Sequence, residues 1–134
     1  MEHKRVLIDT HILLWYIHKD SRSLLSKKAL ETIRFAENHG IIYVPMIVLS
    51  ETLHLIEKGK VPQYISFEQI LTGIENHINY EIVPMDLDVL KASIPFRGLE
   101  IHDRLIVATT IVTNSMLITY DRRISESIRD RIIW

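Results

Sequence analysis

The chain has 134 residues, of which 47% are hydrophobic and 25% charged, and 16 Lys and Arg stand against 17 Asp and Glu. This composition is typical of one globular domain, and it excludes a disordered scaffold and a globally basic nucleic-acid coat. Because the chain has no cysteine, disulfides, thiolate catalysis, iron–sulfur clusters and cysteine-ligated zinc are also excluded.

Membrane insertion and export are not indicated by the apolar runs. The longest run, residues 41–49, is interrupted by Pro45 and is too short to cross a bilayer. The run of residues 6–8 ends at Asp9, so it cannot serve as the apolar core of a signal peptide. We therefore expect a cytoplasmic protein.

Hydrophobic periodicity and turn residues predict alternating strands and helices along the chain. The predicted strands are continuously apolar, which is typical of parallel strands that helices cover on both faces. In chain order the predictions are a strand over 5–8, helices over 10–18 and 23–38, a strand over 41–44, helices over 46–57 and 67–77, a strand over 80–83, helices over 87–93 and 100–112, a strand over 116–119, a helix over 122–128 and a strand over 131–133.

This order predicts an α/β fold, a three-layer α/β/α sandwich with a central parallel sheet of four to five strands. Residues 1–134 are expected to form a single domain, since no linker, repeat or biased segment divides them. In such folds ligands bind outside the carboxyl ends of the strands, so the polar residues that follow each strand are the candidates for function.

Four acidic residues stand out by position. Asp9 follows the first predicted strand, Asp121 follows the fourth, and Asp103 lies in the first turn of a predicted helix. Each of these three would also be an ordinary helix-capping residue. Glu51 is different, because it lies mid-helix with aliphatic residues four positions before and after it. A carboxylate in an apolar row is costly unless a cation meets it.

These four acids could converge on one edge of the sheet. Carboxylates packed together do not all ionise without a cation, and oxygen-only ligands favour Mg²⁺ or Mn²⁺ over zinc. One or two such ions can activate water and stabilise the leaving oxygen of a phosphodiester. The pattern therefore predicts Asp9, Glu51, Asp103 and Asp121 as catalytic, metal-binding residues of a hydrolase.

Four motifs carry a resemblance to a known family over essentially the whole chain, and they occur in the order and spacing of that family. They are Val6-Leu7-Ile8-Asp9-Thr10-His11-Ile12-Leu13-Leu14-Trp15, Val48-Leu49-Ser50-Glu51, His102-Asp103-Arg104-Leu105-Ile106-Val107-Ala108 and Leu117-Ile118-Thr119-Tyr120-Asp121. With them the sequence resembles the PIN-domain ribonucleases, and among these the VapC-type toxins of toxin–antitoxin pairs.

The resemblance assigns roles residue by residue. Asp9, Glu51 and Asp103 match the three acidic metal-site positions of the family, and Asp121 matches its more variable fourth acid. Two further matches, Thr10 and Thr119, fall on hydroxyl positions beside the acids, where they are expected to hydrogen-bond the metal ligands. Relatives often carry a proline and an additional aspartate before the third acid. This chain lacks both, which leaves the conformation of that loop open.

The resemblance implies a Mg²⁺- or Mn²⁺-dependent endoribonuclease that is the toxin of a type II toxin–antitoxin system. It also implies an RNA substrate, a small antitoxin protein as partner, and a homodimer. Two alternatives stay open: a PIN-like nuclease of RNA processing, and a catalytically silent binding or scaffold module.

The candidates for RNA contact are Arg104, Arg122 and Arg123, near the third and fourth acids. Trp15 and Tyr16 are expected to be core or dimer contacts and not base-stacking platforms.

Other enzyme classes fit less well. Seven histidines and the pair His102-Asp103 are compatible with zinc or with an all-helical HD phosphohydrolase, but this chain begins with a strand and alternates. Haloacid dehalogenase-like phosphatases require a second aspartate two residues after the first, where this chain has His11. A receiver domain would need paired acids after the first strand and a phosphoacceptor aspartate after the third, where Pro84 stands.

Overall fold

The computed structural model describes residues 3–134, and its centre is one five-stranded parallel sheet. The strands are ordered β3-β2-β1-β4-β5, and all four neighbouring pairs are parallel. Their bounds are β1 Arg5–Ile8, β2 Ile41–Pro45, β3 Tyr80–Val83, β4 Met116–Ile118 and β5 Ile132–Ile133.

Helices cover both faces of this sheet. In β1 the consecutive residues Val6, Leu7 and Ile8 are all buried, and successive side chains of a strand point to opposite faces. The predicted parallel sheet and α/β sandwich are therefore confirmed. The helices are α1 Thr10–Ile17, α2 Lys27–His39, α3 Met46–Glu57, α4 Phe67–Asn76, α5 Leu87–Ser93, α6 Ile101–Thr113 and α7 Arg122–Ser127.

One predicted helix begins later than expected. A 3₁₀ helix, Lys19–Leu24, follows α1, and α2 starts at Lys27 instead of Ser23. The reason is Ser26, which has extended backbone and whose hydroxyl accepts a hydrogen bond of 3.0 Å from the amide of Ala29. A serine cap of this kind satisfies an amide that has no partner within the helix.

The strand order reverses direction at β1. The chain runs outward from β1 through β2 to β3, and then returns to place β4 on the other side of β1. In parallel sheets such a switch point opens a crevice at the carboxyl ends of the two strands. The register pairs Ile8 with Ile118, so the residues that follow, Asp9 and Thr119, begin at the same level of this crevice.

No helix within residues 3–134 is both long enough and apolar enough to span a bilayer.

The close approach of α2 to β1 yields a stability prediction. Gly40 ends α2 and leads directly into β2, and an added Cβ atom at this position would overlap the carbonyl oxygen of Lys4. That oxygen accepts the 2.7 Å hydrogen bond from Ile41 that starts the β1–β2 pairing. We expect Gly40→Ala to lower the free energy of unfolding by about 1–3 kcal/mol in urea denaturation, the usual cost of overpacking.

Gly73→Ala is the matched control. Gly73 lies inside α4, and nothing lies within 4 Å of the Cβ atom that the substitution adds. This variant should gain about 0.5–1 kcal/mol, because alanine loses less backbone entropy in a helix than glycine. Equal effects of the two substitutions would contradict the steric explanation for Gly40.

Candidate active site

The four predicted acids line one cavity of about 360 Å³. This acidic cavity lies at the carboxyl ends of β1 and β4, where the strand order reverses. Each acid comes from a different part of the chain. The cavity is lined by Asp9 at the start of α1, Glu51 in α3, Asp103 in α6, Asp121 at the start of α7, and by Thr10, His11, Trp15, Ile106, Tyr120 and Ile124.

Asp9 is held in place from two sides. As the N-cap of α1 it accepts a 3.1 Å hydrogen bond from the amide of Ile12 through Oδ1. Its Oδ2 accepts a hydrogen bond from the hydroxyl of Thr119, which follows β4. The capping role and the candidate metal-binding role are therefore compatible, since each carboxylate oxygen has a second lone pair.

Thr119 also connects Asp9 to Asp121. The Thr119 hydroxyl oxygen accepts a 3.1 Å hydrogen bond from the amide of Asp121, while its proton goes to Asp9. Asp121 in turn caps α7, accepting a 3.0 Å bond from the amide of Ile124 through Oδ1. One buried hydroxyl thus fixes the relative position of two of the four acids.

Glu51 meets the acidic cavity from α3. Its Oε1 accepts a hydrogen bond from the hydroxyl of Thr10, the first residue of α1. This partner is a neutral donor, and the cation that the sequence pattern predicts for Glu51 stays a prediction. The hydroxyl positions that the resemblance assigned to Thr10 and Thr119 accordingly lie in hydrogen bonds to two of the acids.

The acids repel one another in the absence of a cation. Burial first, and then the negative charges of Asp121, Glu100, Glu51 and Asp9, together raise the pKa of Asp103 from 3.8 to about 6. Burial also raises the pKa of Asp9, although its bonds from Thr119 and Ile12 act in the opposite direction. The cavity therefore favours either protons or a positively charged ligand.

The donor set fits a hard divalent cation in kind. The four acids offer carboxylate oxygens, the ligands that Mg²⁺ and Mn²⁺ prefer, and their mutual repulsion favours a cation between them. As they are placed within residues 3–134, however, no three His, Asp or Glu side chains are close enough to hold one ion together. Ion binding therefore requires the side chains to approach one another.

The arginine candidates differ in their contacts. The Arg104 guanidinium donates to the carbonyl of Ser93, at 2.8 Å, and to the next carbonyl, so it binds the end of α5. Arg123 donates to the carbonyl of Gly98 at 2.8 Å and thereby braces the loop before α6. Arg122 is exposed directly after Asp121.

Sequence reasoning missed the aromatic wall of the acidic cavity. Tyr16 is buried as expected, but Trp15 is only partly buried and lines the cavity together with His11 and Tyr120. A signal was present, because Tyr120 lies between Thr119 and Asp121, at the carboxyl end of a central strand. Only the fold shows that α1 brings two further rings to the same place.

The sequence model of the PIN domain matches residues 6–127, which is most of the chain. The chain belongs to the PIN domain family. PIN domains are nucleases, hydrolases of phosphodiester bonds, and the matched residues include all four acids of the cavity.

Solved structures share the fold across its whole length. One is the VapBC2 complex of Rickettsia felis bound to a promoter DNA fragment, at 18% identity and a TM-score of 0.67, covering 95% of each chain. Another is a toxin–antitoxin complex of Klebsiella pneumoniae, at 17% identity and a TM-score of 0.62, covering 96% of each chain. None of the curated proteins matches the chain.

The repulsion within the acidic cavity predicts a stabilising substitution. Since the pKa of Asp103 is raised, its carboxylate form destabilises the fold at neutral pH, and this cost disappears as protons bind. We expect Asp103→Asn to melt at a higher temperature than the native chain at pH 7 in EDTA. The difference should shrink as the pH falls through about 6, and be largely gone near pH 4.

Asp88→Asn is the control, because Asp88 occupies the first turn of α5 as Asp103 occupies that of α6, but is exposed. A first-turn acid ordinarily stabilises its helix, so this variant should melt at the same temperature or slightly lower. If Asp103→Asn behaved like Asp88→Asn, the carboxylates would not be repelling one another.

Proposed function

We propose that the chain is a Mg²⁺- or Mn²⁺-dependent endoribonuclease. The observation that carries this proposal is the convergence of Asp9, Glu51, Asp103 and Asp121 on one cavity at the switch point of the sheet. Membership of a nuclease family supports hydrolysis of a phosphodiester. The raised pKa of Asp103 supports a cation as the natural occupant of this cavity.

The roles of the residues follow from their contacts. The four acids would hold the ion, and the hydroxyls of Thr10 and Thr119 orient the carboxylates of Glu51 and Asp9. A bound divalent ion supplies activation of water and neutralisation of charge at the phosphodiester. Arg122, exposed beside Asp121, attracts the phosphate backbone.

RNA cleavage with Mn²⁺ tests the proposal directly. We expect the native chain to cleave a pool of single-stranded RNA, and Asp103→Asn to lose more than about 100-fold in rate, beyond the typical loss for an outer-shell partner. Asp88→Asn should cleave at the native rate. Since Asp103→Asn is expected to be the more stable protein, unfolding cannot explain its loss of activity. Equal cleavage by the native chain and Asp103→Asn would overturn the site assignment.

A metal titration distinguishes the nuclease from a catalytically silent module. A site that binds Mn²⁺ raises the melting temperature of the native chain, and Asp9→Asn should lose this gain, since binding to the folded state alone stabilises it. Mn²⁺ binding without RNA cleavage would favour the silent module. Cleavage with no dependence on a divalent ion would contradict the proposed chemistry.

Within the nucleases we propose the role of a toxin, held inactive by a small antitoxin. Four motifs in family order support it, as does the similarity of the fold, over 95% of the chain, to that of a VapBC complex.

An exposed apolar surface supports a second copy of the chain as a further partner. On α5 and just after it, Leu87, Leu90 and Ile94 are 61%, 47% and 58% exposed, at spacings that put them along one side of the helix.

Expression in a bacterial host tests the toxin role. We expect the native chain to arrest growth, Asp103→Asn to leave growth normal, and co-expression of a short neighbouring reading frame to restore it. The purified complex should contain two copies of this chain by light scattering. Cleavage of RNA without growth arrest would assign the enzyme to RNA processing, and a complex with a single copy would contradict the homodimer.

A further inference from the structure

Four aromatic rings form a continuous cluster at one side of the acidic cavity. His11 and Trp15 lie one turn apart on α1, Tyr120 lies between β4 and α7, and Trp134 follows β5. The ring centroids of Trp15 are 6.0 Å from those of His11 and Tyr120 and 6.3 Å from that of Trp134, and Tyr120 lies 5.3 Å from Trp134. We call these four residues the aromatic platform.

The aromatic platform and the acids share a wall. Three of its members, His11, Trp15 and Tyr120, line the same cavity as the four acids. Trp15 and Trp134 pack partly against the hydrophobic core and are thereby held in place, whereas Tyr120 is 67% exposed. His11 is exposed as well, so the platform is an aromatic surface that the two tryptophans anchor and that offers the rings of Tyr120 and His11 to a ligand.

The chemistry of the cavity narrows the choice of ligand. Its carboxylates repel small anions, and its wall carries aromatic rings that are inclined to one another by 53–62°. Unpaired nucleobases stack on Tyr, Trp and His side chains, and because every base has a π face, stacking is tolerant of sequence. The backbone neighbour of Tyr120 is Asp121, so a base on this ring lies beside the acids where its phosphate would be hydrolysed.

We propose that the aromatic platform stacks an unpaired RNA base beside the scissile phosphate, with Tyr120 as the contacting ring. This inference rests on the proposed function, which supplies the RNA. The ring can take only an unpaired base, because a base inside a duplex has no free face for it.

Tryptophan fluorescence reports on the platform alone, since the chain has two tryptophans and both belong to it. In the Asp103→Asn background, which is expected to be stable and inactive, a single-stranded RNA octamer should quench this fluorescence on titration. An abasic strand of the same length and charge should not. Quenching by both strands alike would show backbone contact only and overturn the proposal.

Substitution of the exposed ring gives the matched comparison. Tyr120→Ala should weaken octamer binding about 5- to 150-fold, the range that corresponds to about 1–3 kcal/mol for one stacked base. Tyr120→Phe should bind within about twofold of the parent, because stacking needs the ring and not the hydroxyl. Tyr64→Ala is the control, since Tyr64 is 69% exposed and paired with another ring, His18, at 5.5 Å.

The outcomes separate the two proposals. If Tyr120→Ala in the otherwise native enzyme cleaves RNA with unchanged KM, the stacking proposal is wrong and the proposed nuclease activity is supported. If the octamer quenches the tryptophan fluorescence and the abasic strand does not, but the native chain never cleaves RNA, the proposed nuclease activity is wrong and base stacking is supported. The stacking proposal would be overturned if Tyr120→Ala and Tyr120→Phe weakened octamer binding equally. It would also be overturned if a co-expressed partner protein quenched the tryptophan fluorescence and no RNA did.

Discussion

The parallel pairing of β1 with β4 fixes the centre of the candidate active site, where two of its four acids meet. Because Ile8 is level with Ile118, the next residues meet, and the Thr119 hydroxyl can donate to Asp9 while accepting from the amide of Asp121. A slip of one residue would turn every side chain of the strand to the other face. The burial of β1 on both faces makes such a slip costly, so the core that stabilises the sheet also fixes the acids.

The acidic residues serve the fold and oppose it at once. Asp9 and Asp121 cap α1 and α7, which stabilises both helices, yet burial and neighbouring charges raise the pKa of Asp103 to about 6. The folded chain thus contains repulsion between carboxylates, which helix capping alone would not require. Such a cost is expected where a cation is part of the working state, because the ion then converts the repulsion into binding free energy.

The parallel sheet and the four acids could be predicted because both depend on local patterns, namely apolar runs and the polar residues that end them. The failures fall where tertiary contacts decide. The helix predicted over 67–77 ends at Asn76, and Ile78 beyond it is 95% exposed. The meeting of Trp15 with Tyr120 joins segments far apart in sequence, and no local pattern encodes such a contact.

The near-neutral charge of the chain gains a physical meaning from this arrangement. Four of its 17 acidic residues line a single cavity, so the remaining surface has a surplus of basic residues over acidic ones. A phosphate chain is then attracted by the surface and repelled by the cavity until a cation is present. An aromatic surface beside the acids adds a contact that does not depend on charge. Under the proposed function, a base would therefore bind the rings without the ion, and its phosphate would enter the cavity only with the ion present.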